Sequence, residues 1–197
     1  MLDLRLKRLR STLEARERHT MSRERVHVET AVAVVLRASD ELEILLIRRT
    51  EREGDPWSGH VAFPGGRRSP GDIDLTATAL RETEEETGIG VARIGRVLGP
   101  LDEVEPGTRR LPPVIIAPWV IAVPGETVAI PNPAEVLDAE WVSLSALRRR
   151  EAVSELRLSR NDIEMTFPAL VHRDYVIWGL THRILGQFLN LAEEAGL

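Results

Sequence analysis

The chain has 197 residues, 43% of them hydrophobic, enough for one domain with a sizeable core. A net charge of −5 and a pI of about 5.6 argue against nucleic-acid binding by overall charge. The absence of cysteine excludes a disulfide framework, a thiolate zinc site and a cysteine nucleophile. No apolar run approaches the roughly 20 residues of a membrane span, and no secretory signal is visible, so the expected compartment is the cytoplasm and no membrane partner is expected.

Residues 1–20 place Leu2, Leu6, Leu9 and Leu13 on one helical stripe. This predicts a helix docked on the domain or on a second subunit, so a homodimer is one expectation. Residues 1–22 are read as an appended helix and 23–197 as a single domain. Val26–Leu36 and Leu42–Arg48 are rich in β-branched and aliphatic residues and predict a strand hairpin over the turn at Ala38–Glu41. A polar loop, Arg49–His60, follows. Trp57 within it is either a lid over a bound ring or, more simply, a loop anchor. Val61–Phe63 reads as a short strand that runs into the Gly65–Gly66 turn.

A helix is predicted over Leu75–Thr87, closed by Gly88. Its second half packs Arg81, Glu82, Glu84, Glu85 and Glu86 into six residues. Residues three and four apart share a helical face, so Glu82, Glu85 and Glu86 project together and Glu84 points elsewhere. Like charges so placed repel unless a cation sits among them. Hard cations take carboxylate oxygens, which makes Mg²⁺ or Mn²⁺ the natural candidate. The simpler reading is a solvated acidic face. The apolar segment before it and the strand–glycine-turn–helix layout favour a metal–phosphate site.

Further strands are predicted within Val91–Gly99, over Val114–Val123, where Pro118 suggests an edge or a bulge, within Ala134–Val142, and over Met165–Leu170. Pro100–Pro113 reads as a long loop, Ser159–Asp162 as a turn, and Ala146–Arg150 as a short helix capped by Ser143 or Ser145. Asp174–Ala195 reads as a closing helix with Val176, Leu180, Ile184, Leu185, Phe188, Leu189 and Leu191 on its apolar face. The order of elements suggests a mixed sheet between helices.

Gly65–Ile89 resembles the Nudix box of the Nudix hydrolase superfamily. Arg81-Glu82-Thr83-Glu84-Glu85-Glu86-Thr87-Gly88-Ile89 matches its second half, with Thr83 where an aliphatic residue is usual. In the first half, counting back from Arg81 puts Ile73 at the family's upstream Glu and Arg67 at its Gly. A one-residue loop insertion restores Gly66 and leaves Asp72 or Asp74 as the acidic stand-in. The flanking segments Leu45–Thr50, Gly59–Gly66 and Ile177–Thr181 resemble the coenzyme A pyrophosphatase subgroup. Here Ile47 and Thr50 replace its Thr and Ser, and the Gly54–Trp57 loop carries an extra residue.

The resemblance implies an α+β Nudix fold, a mixed β-sheet sandwiched between α-helices. It implies hydrolysis of a small-molecule diphosphate: coenzyme A to 3′,5′-ADP and 4′-phosphopantetheine, or else a nucleotide sugar, a dinucleotide or a damaged nucleoside triphosphate. Glu82, Glu85, Glu86 and the carbonyl of Gly66 are the implied ligands of Mg²⁺ or Mn²⁺. Arg81 is expected to orient the glutamates, and Arg49, Arg52, Arg67, Gly65 and Gly66 to meet the phosphates. One of the helix glutamates, or Glu103, Glu105 or Glu135, is the expected base. His60 is read either as a substrate contact or as a packing residue, and His172 and His182 as structural. A non-catalytic module with this fold is disfavoured, because all three metal-facing glutamates are present.

Overall fold

A computed structural model describes residues 2–24, 28–54, 58–106, 113–160 and 163–197. Trp57 and the tip of the expected turn at residues 161–162 lie outside the described residues. So do residues 26–27 of the first predicted strand and residues 107–112 of the long loop.

The long strands are the aliphatic runs of the sequence. β1 (Val28–Ala38) and β2 (Leu42–Arg49) form the predicted hairpin, with Leu36 opposite Ile44. β3 (Val61–Ala62) pairs with β2, and β4 (Gly65–Arg67) pairs with the N-terminal part of β1. The glycine turn is therefore itself a strand at the sheet's centre. β5 (Arg96–Pro100), β6 (Val114–Val123) and β7 (Val136–Ser143) complete a sheet ordered β3-β2-β1-β6-β5, with β7 on β2. β1 and β6 run parallel and the other pairs antiparallel, which makes the sheet mixed.

Period-two alternation distributes these strands between two cores. Val34 and Leu36 of β1, Ile44 and Leu46 of β2, and Val120 of β6 face one side. There they meet α1 (Leu4–Ala15) and α5 (Gly179–Glu194). Ala31, Ala33, Val35, Leu45 and Ile121 face the other side, covered by α2 (Leu75–Thr87) and α3 (Val91–Ile94). Ala31, Ala33 and Ala79 carry no bulk, which lets α2 lie close on β1. This is the expected α+β sandwich of a mixed sheet between helices. Among the described residues no helix is long and apolar enough to cross a membrane.

Several expectations are corrected. The stripe Leu6, Leu9 and Leu13 is buried in the chain's own core and so is not a free dimer surface. The closing helix starts later than expected. Tyr175–Trp178 is a strand, β10, whose Tyr175 and Ile177 point inward, so Val176 belongs to a strand and not to a helical face. The strand expected within Val91–Gly99 is β5, and the short helix α3 that precedes it was not foreseen. The predicted Met165–Leu170 strand is longer, β9 (Ile163–His172), and pairs with a strand not predicted, β8 (Val153–Arg160). β8, β9 and β10 form a second sheet, whose Leu170, Tyr175 and Ile177 enter the same core as Leu144 and Leu147 of α4 (Leu144–Leu147); the Ala146 amide of α4 is capped by Ser143. β6 is interior, not an edge. Pro118 sits one residue beyond the last β5 pair, Pro100 with Trp119, where its carbonyl accepts Leu101 N–H at 2.9 Å and no N–H is required.

Between α1 and β1 the chain is strapped to the loop after β5. Glu103 is buried and accepts from Arg18, from Arg23 and from Met21 N–H, while Asp102 pairs with Arg16 and accepts His19 N–H.

Candidate active site

α2 presents the acidic face. Asp74 caps its start, accepting Ala77 N–H at 2.7 Å, and Gly88 ends it with φ +68°, a conformation that costs glycine little. Thr78, Thr83 and Thr87 are fully buried. Thr83 and Thr87 return their hydroxyls to carbonyls one turn back, at 2.7 and 2.6 Å. That satisfaction explains how threonine stands at Thr83, where the family pattern has an aliphatic residue.

The helix and the glycine strand meet around Glu82 and Glu86. Gly65 is pressed on β1, where a Cβ would come within 2.3 Å of the Ala31 carbonyl oxygen. Its N–H is donated to the Glu86 carboxylate at 2.8 Å. A Cβ on Gly66 would lie 2.4 Å from the carboxyl carbon of Glu82, so the two glycines form a cradle that fits only a bare backbone. Glu86 is 2% exposed. Burial, reinforced by the charges of Glu82 and Glu135, pushes its pKa up to about 8 despite the Gly65 hydrogen bond. Burial likewise raises Glu82 against the opposing pull of Arg81.

Arg81 organises the remaining carboxylates. Its Nε and Nη2 donate to the two oxygens of Asp72 at 3.0 and 2.9 Å, a bidentate pair. Its Nη1 donates to Glu82 and to Glu85, each at 2.8 Å, and Nη2 also reaches the Arg67 carbonyl. Asp72 is buried and further accepts Ser69 N–H and the Thr78 hydroxyl. Arg81 holds its carboxyl far below the usual range. Of the two acids left open by the sequence, Asp72 is therefore the one that pairs with Arg81, and Asp74 is the helix cap.

The structure distributes the other sequence candidates unevenly. Glu85 is half-exposed and joins the cluster through Arg81. Glu84 lies outside it, paired with Arg93. The charge of Arg49 acts on Glu86. Arg52 donates to the carbonyl of Ala134. Arg67 is exposed and adjoins the site through its backbone. Of the three later glutamates, Glu103 is engaged in the N-terminal strap and Glu105 is exposed, its carbonyl accepting from Arg183. Glu135 alone among them acts electrostatically on both Glu82 and Glu86. It is placed by a wall absent from the sequence reading. Ile130 N–H and Asn132 N–H bind the carbonyls of Thr87 and Glu86, and Thr50 N–H binds the carbonyl of Glu135. His60 packs edge-on to Trp178 at 4.9 Å, and His172 faces Glu140.

Among the described residues no three acidic or histidine side chains are drawn together as a finished metal cage. The donor set nevertheless fits a hard cation. It consists of oxygen only, holds two desolvated carboxylates of raised pKa, and lies against a glycine backbone that the Glu82 carboxylate approaches directly. Gly66→Ala is expected to leave the fold intact, because the displaced atoms are the flexible end of Glu82. It should lower kcat by about a hundredfold or more through misplacing that carboxylate. Thermal melting beside steady-state turnover checks it, and full activity would refute the cradle.

A family profile described as the NUDIX domain matches residues 27–162, spanning the sheet, the glycine turn and α2. The chain belongs to the Nudix family. It is a Nudix pyrophosphohydrolase, from a family of enzymes that generally use divalent metals and act on small-molecule substrates such as nucleoside diphosphates linked to another moiety. An uncharacterized Nudix hydrolase named NudL from Photorhabdus laumondii is 34% identical over 143 residues, covering 73% of this chain and 74% of that one. An uncharacterized Schizosaccharomyces pombe protein is 33% identical over 132 residues, covering 65% of this chain and 40% of its own, longer chain. In three dimensions a MutT/Nudix family protein from Enterococcus faecalis superposes with a TM-score of 0.59 at 21% identity. That superposition covers 98% of this chain and 70% of that one, and establishes likeness of fold.

Proposed function

We propose that this Nudix enzyme hydrolyses the diphosphate of coenzyme A or its derivatives, yielding 3′,5′-ADP and 4′-phosphopantetheine. The substrate assignment rests on the segments Leu45–Thr50, Gly59–Gly66 and Ile177–Thr181, which resemble the coenzyme A pyrophosphatase subgroup. The observation that carries the chemistry is the convergence of Glu82 and Glu86 on the Gly65–Gly66 backbone, with Arg81 bridging Glu82, Glu85 and Asp72.

Glu82, Glu85, Glu86 and the Gly66 carbonyl are the proposed ligands of Mg²⁺ or Mn²⁺. The ion supplies charge neutralisation at the phosphate oxygens and acidifies a bound water. The remaining work belongs to the chain itself. Gly65 N–H fixes the orientation of Glu86. Arg81, locked by Asp72, fixes Glu82 and Glu85 without approaching the substrate. Glu135 stands across from these carboxylates on the wall at residues 130–135 and is the proposed proton acceptor for the attacking water. Arg49 and Arg52, on the loop that meets this wall, are the proposed phosphate contacts. Arg67 extends the same role on the β4 side.

Incubation of the protein with coenzyme A and Mg²⁺ or Mn²⁺, followed by chromatography, is expected to show 3′,5′-ADP and 4′-phosphopantetheine. A panel including a nucleotide sugar, a dinucleotide and an oxidised nucleoside triphosphate runs in parallel. Good turnover of one of these with none of coenzyme A would overturn the substrate assignment and leave the chemistry standing.

A further inference from the structure

We propose that the outer edge of β8 pairs with β8 of a second copy of this chain, antiparallel about a two-fold axis at Leu156. β8 is the terminal strand of the β10-β9-β8 sheet, so its outer backbone groups face no strand among the described residues. It is eight residues long, Val153-Ser-Glu-Leu-Arg-Leu-Ser-Arg160, with no proline or glycine to blunt the edge. A long uncovered edge of this kind is a template for pairing with another strand.

The register with β9 fixes which side chains share a face. Ser154, Leu156 and Leu158 lie opposite Ala169, Phe167 and Met165, which gives an apolar face. Phe167 there rests on Trp178 with ring centroids 5.5 Å apart. Glu155, Arg157 and Ser159 lie opposite Pro168, Thr166 and Glu164, which gives a face with the two charges at its middle and exposed Val153, opposite Leu170, at one end. Glu155 and Arg157 are exposed, and neither is engaged within the chain among the described residues.

The charges choose the occupant and the register. Two-fold pairing about Leu156 sets Glu155 opposite the second copy's Arg157, and Arg157 opposite its Glu155. Leu156 then lies beside its own copy and continues the apolar face across the new junction. Moving the axis one residue sets Arg157 on Arg157 or Glu155 on Glu155, and like charges directly opposite are destabilising. The same two charges disfavour pairing with an unrelated strand, so the edge admits itself before it admits others. The result is a six-stranded sheet across a closed two-fold dimer, the commonest form of soluble oligomer. The leucine stripe of α1 takes no part, since it is buried within one chain.

Sedimentation velocity of the full chain from about 1 to about 100 µM is expected to show a dimer at the upper end. Arg157→Glu faces two glutamates with two glutamates and should raise the dimer dissociation constant about tenfold or more. The exchange Glu155→Arg with Arg157→Glu restores opposite charges in the same register and should restore the dimer. Unchanged circular dichroism and pyrophosphohydrolase turnover would show each variant folded. A wild-type protein that stays monomeric throughout overturns the proposal, as does an Arg157→Glu variant that dimerises like wild type. A charge-exchanged variant that fails to recover overturns it as well.

Discussion

Glu86→Gln is expected to abolish turnover, by about a thousandfold or more, while stabilising the metal-free protein at neutral pH. The two effects have one cause. Glu86 is buried beside Glu82 and within reach of the charge of Glu135, and its pKa is pushed up to about 8. In the unfolded chain a glutamate has released its proton by about pH 4.3. Below that pH both states hold the proton and no penalty arises. As pH rises toward about 8, the folded state keeps a proton that the unfolded state has lost, so stability falls by about 1.4 kcal/mol per unit. Above it both states are ionised and the penalty is constant. At pH 7 the accumulated cost is roughly 4 kcal/mol. Glutamine removes it, and its amide oxygen still accepts the Gly65 N–H. In chelator, wild-type protein should therefore lose stability from pH 5 to pH 8, and Glu86→Gln should show a flatter profile with a higher Tm at pH 8. Adding Mg²⁺ or Mn²⁺ should raise the Tm of wild type and leave that of the variant largely unmoved. Glu85→Gln should match the loss of turnover without the gain in stability, because its carboxylate is half-exposed. Full activity in both variants would refute the metal assignment.

The contrast between these two glutamates was only half legible in the sequence. Spacing places Glu82, Glu85 and Glu86 on one helical face and excludes Glu84, because i+3 and i+4 neighbours are fixed by helix geometry alone. Spacing carries no information on depth. Glu86 is buried because Gly65 and Gly66 pair with β1 and draw the glycine turn over the helix, a tertiary event. The wall at residues 130–135 is of the same kind. Prolines mark it as turn-rich, but its attachment to the end of α2 depends on backbone hydrogen bonds across some 45 residues of chain. The long strands of the first sheet were legible because their aliphatic runs serve two cores at once, whereas β4, read as a glycine turn, opens on two glycines with no side chain to signal a strand. β8 was not read, although Glu155, Leu156, Arg157 and Leu158 alternate with the period of a strand, because the run is short and rich in charge. At α1 the stripe of leucines was read correctly as a buried face, but a stripe cannot state whose core it enters.

The choice between Asp72 and Asp74 was open in the sequence for the same reason, and substitution should separate them. Asp72 accepts four hydrogen bonds, from Arg81 twice, from Ser69 N–H and from the Thr78 hydroxyl, with its side chain 6% exposed. Asp72→Ala strands all of those donors. Breaking a buried pair by removing one partner costs about 3–5 kcal/mol. Arg81 is partly exposed and keeps Glu82 and Glu85, so the lower end, about 3 kcal/mol, is expected. For a chain of this size that lowers Tm by roughly 6–12 °C. Activity should fall further than stability alone requires, because Arg81 loses the bidentate clamp that aims its third nitrogen at Glu82 and Glu85. Asp74→Ala removes only a helix cap, costing about 1 kcal/mol and leaving kcat near wild type. The acid limb gives an independent readout. Arg81 holds the Asp72 carboxyl well below its unfolded value, so its contribution is complete above about pH 4 and is lost as pH falls further. Asp72→Asn should therefore show less loss of stability between pH 4 and pH 2 than wild type does. Equal effects of the Asp72 and Asp74 substitutions on both Tm and kcat would remove Asp72 from its place behind Arg81.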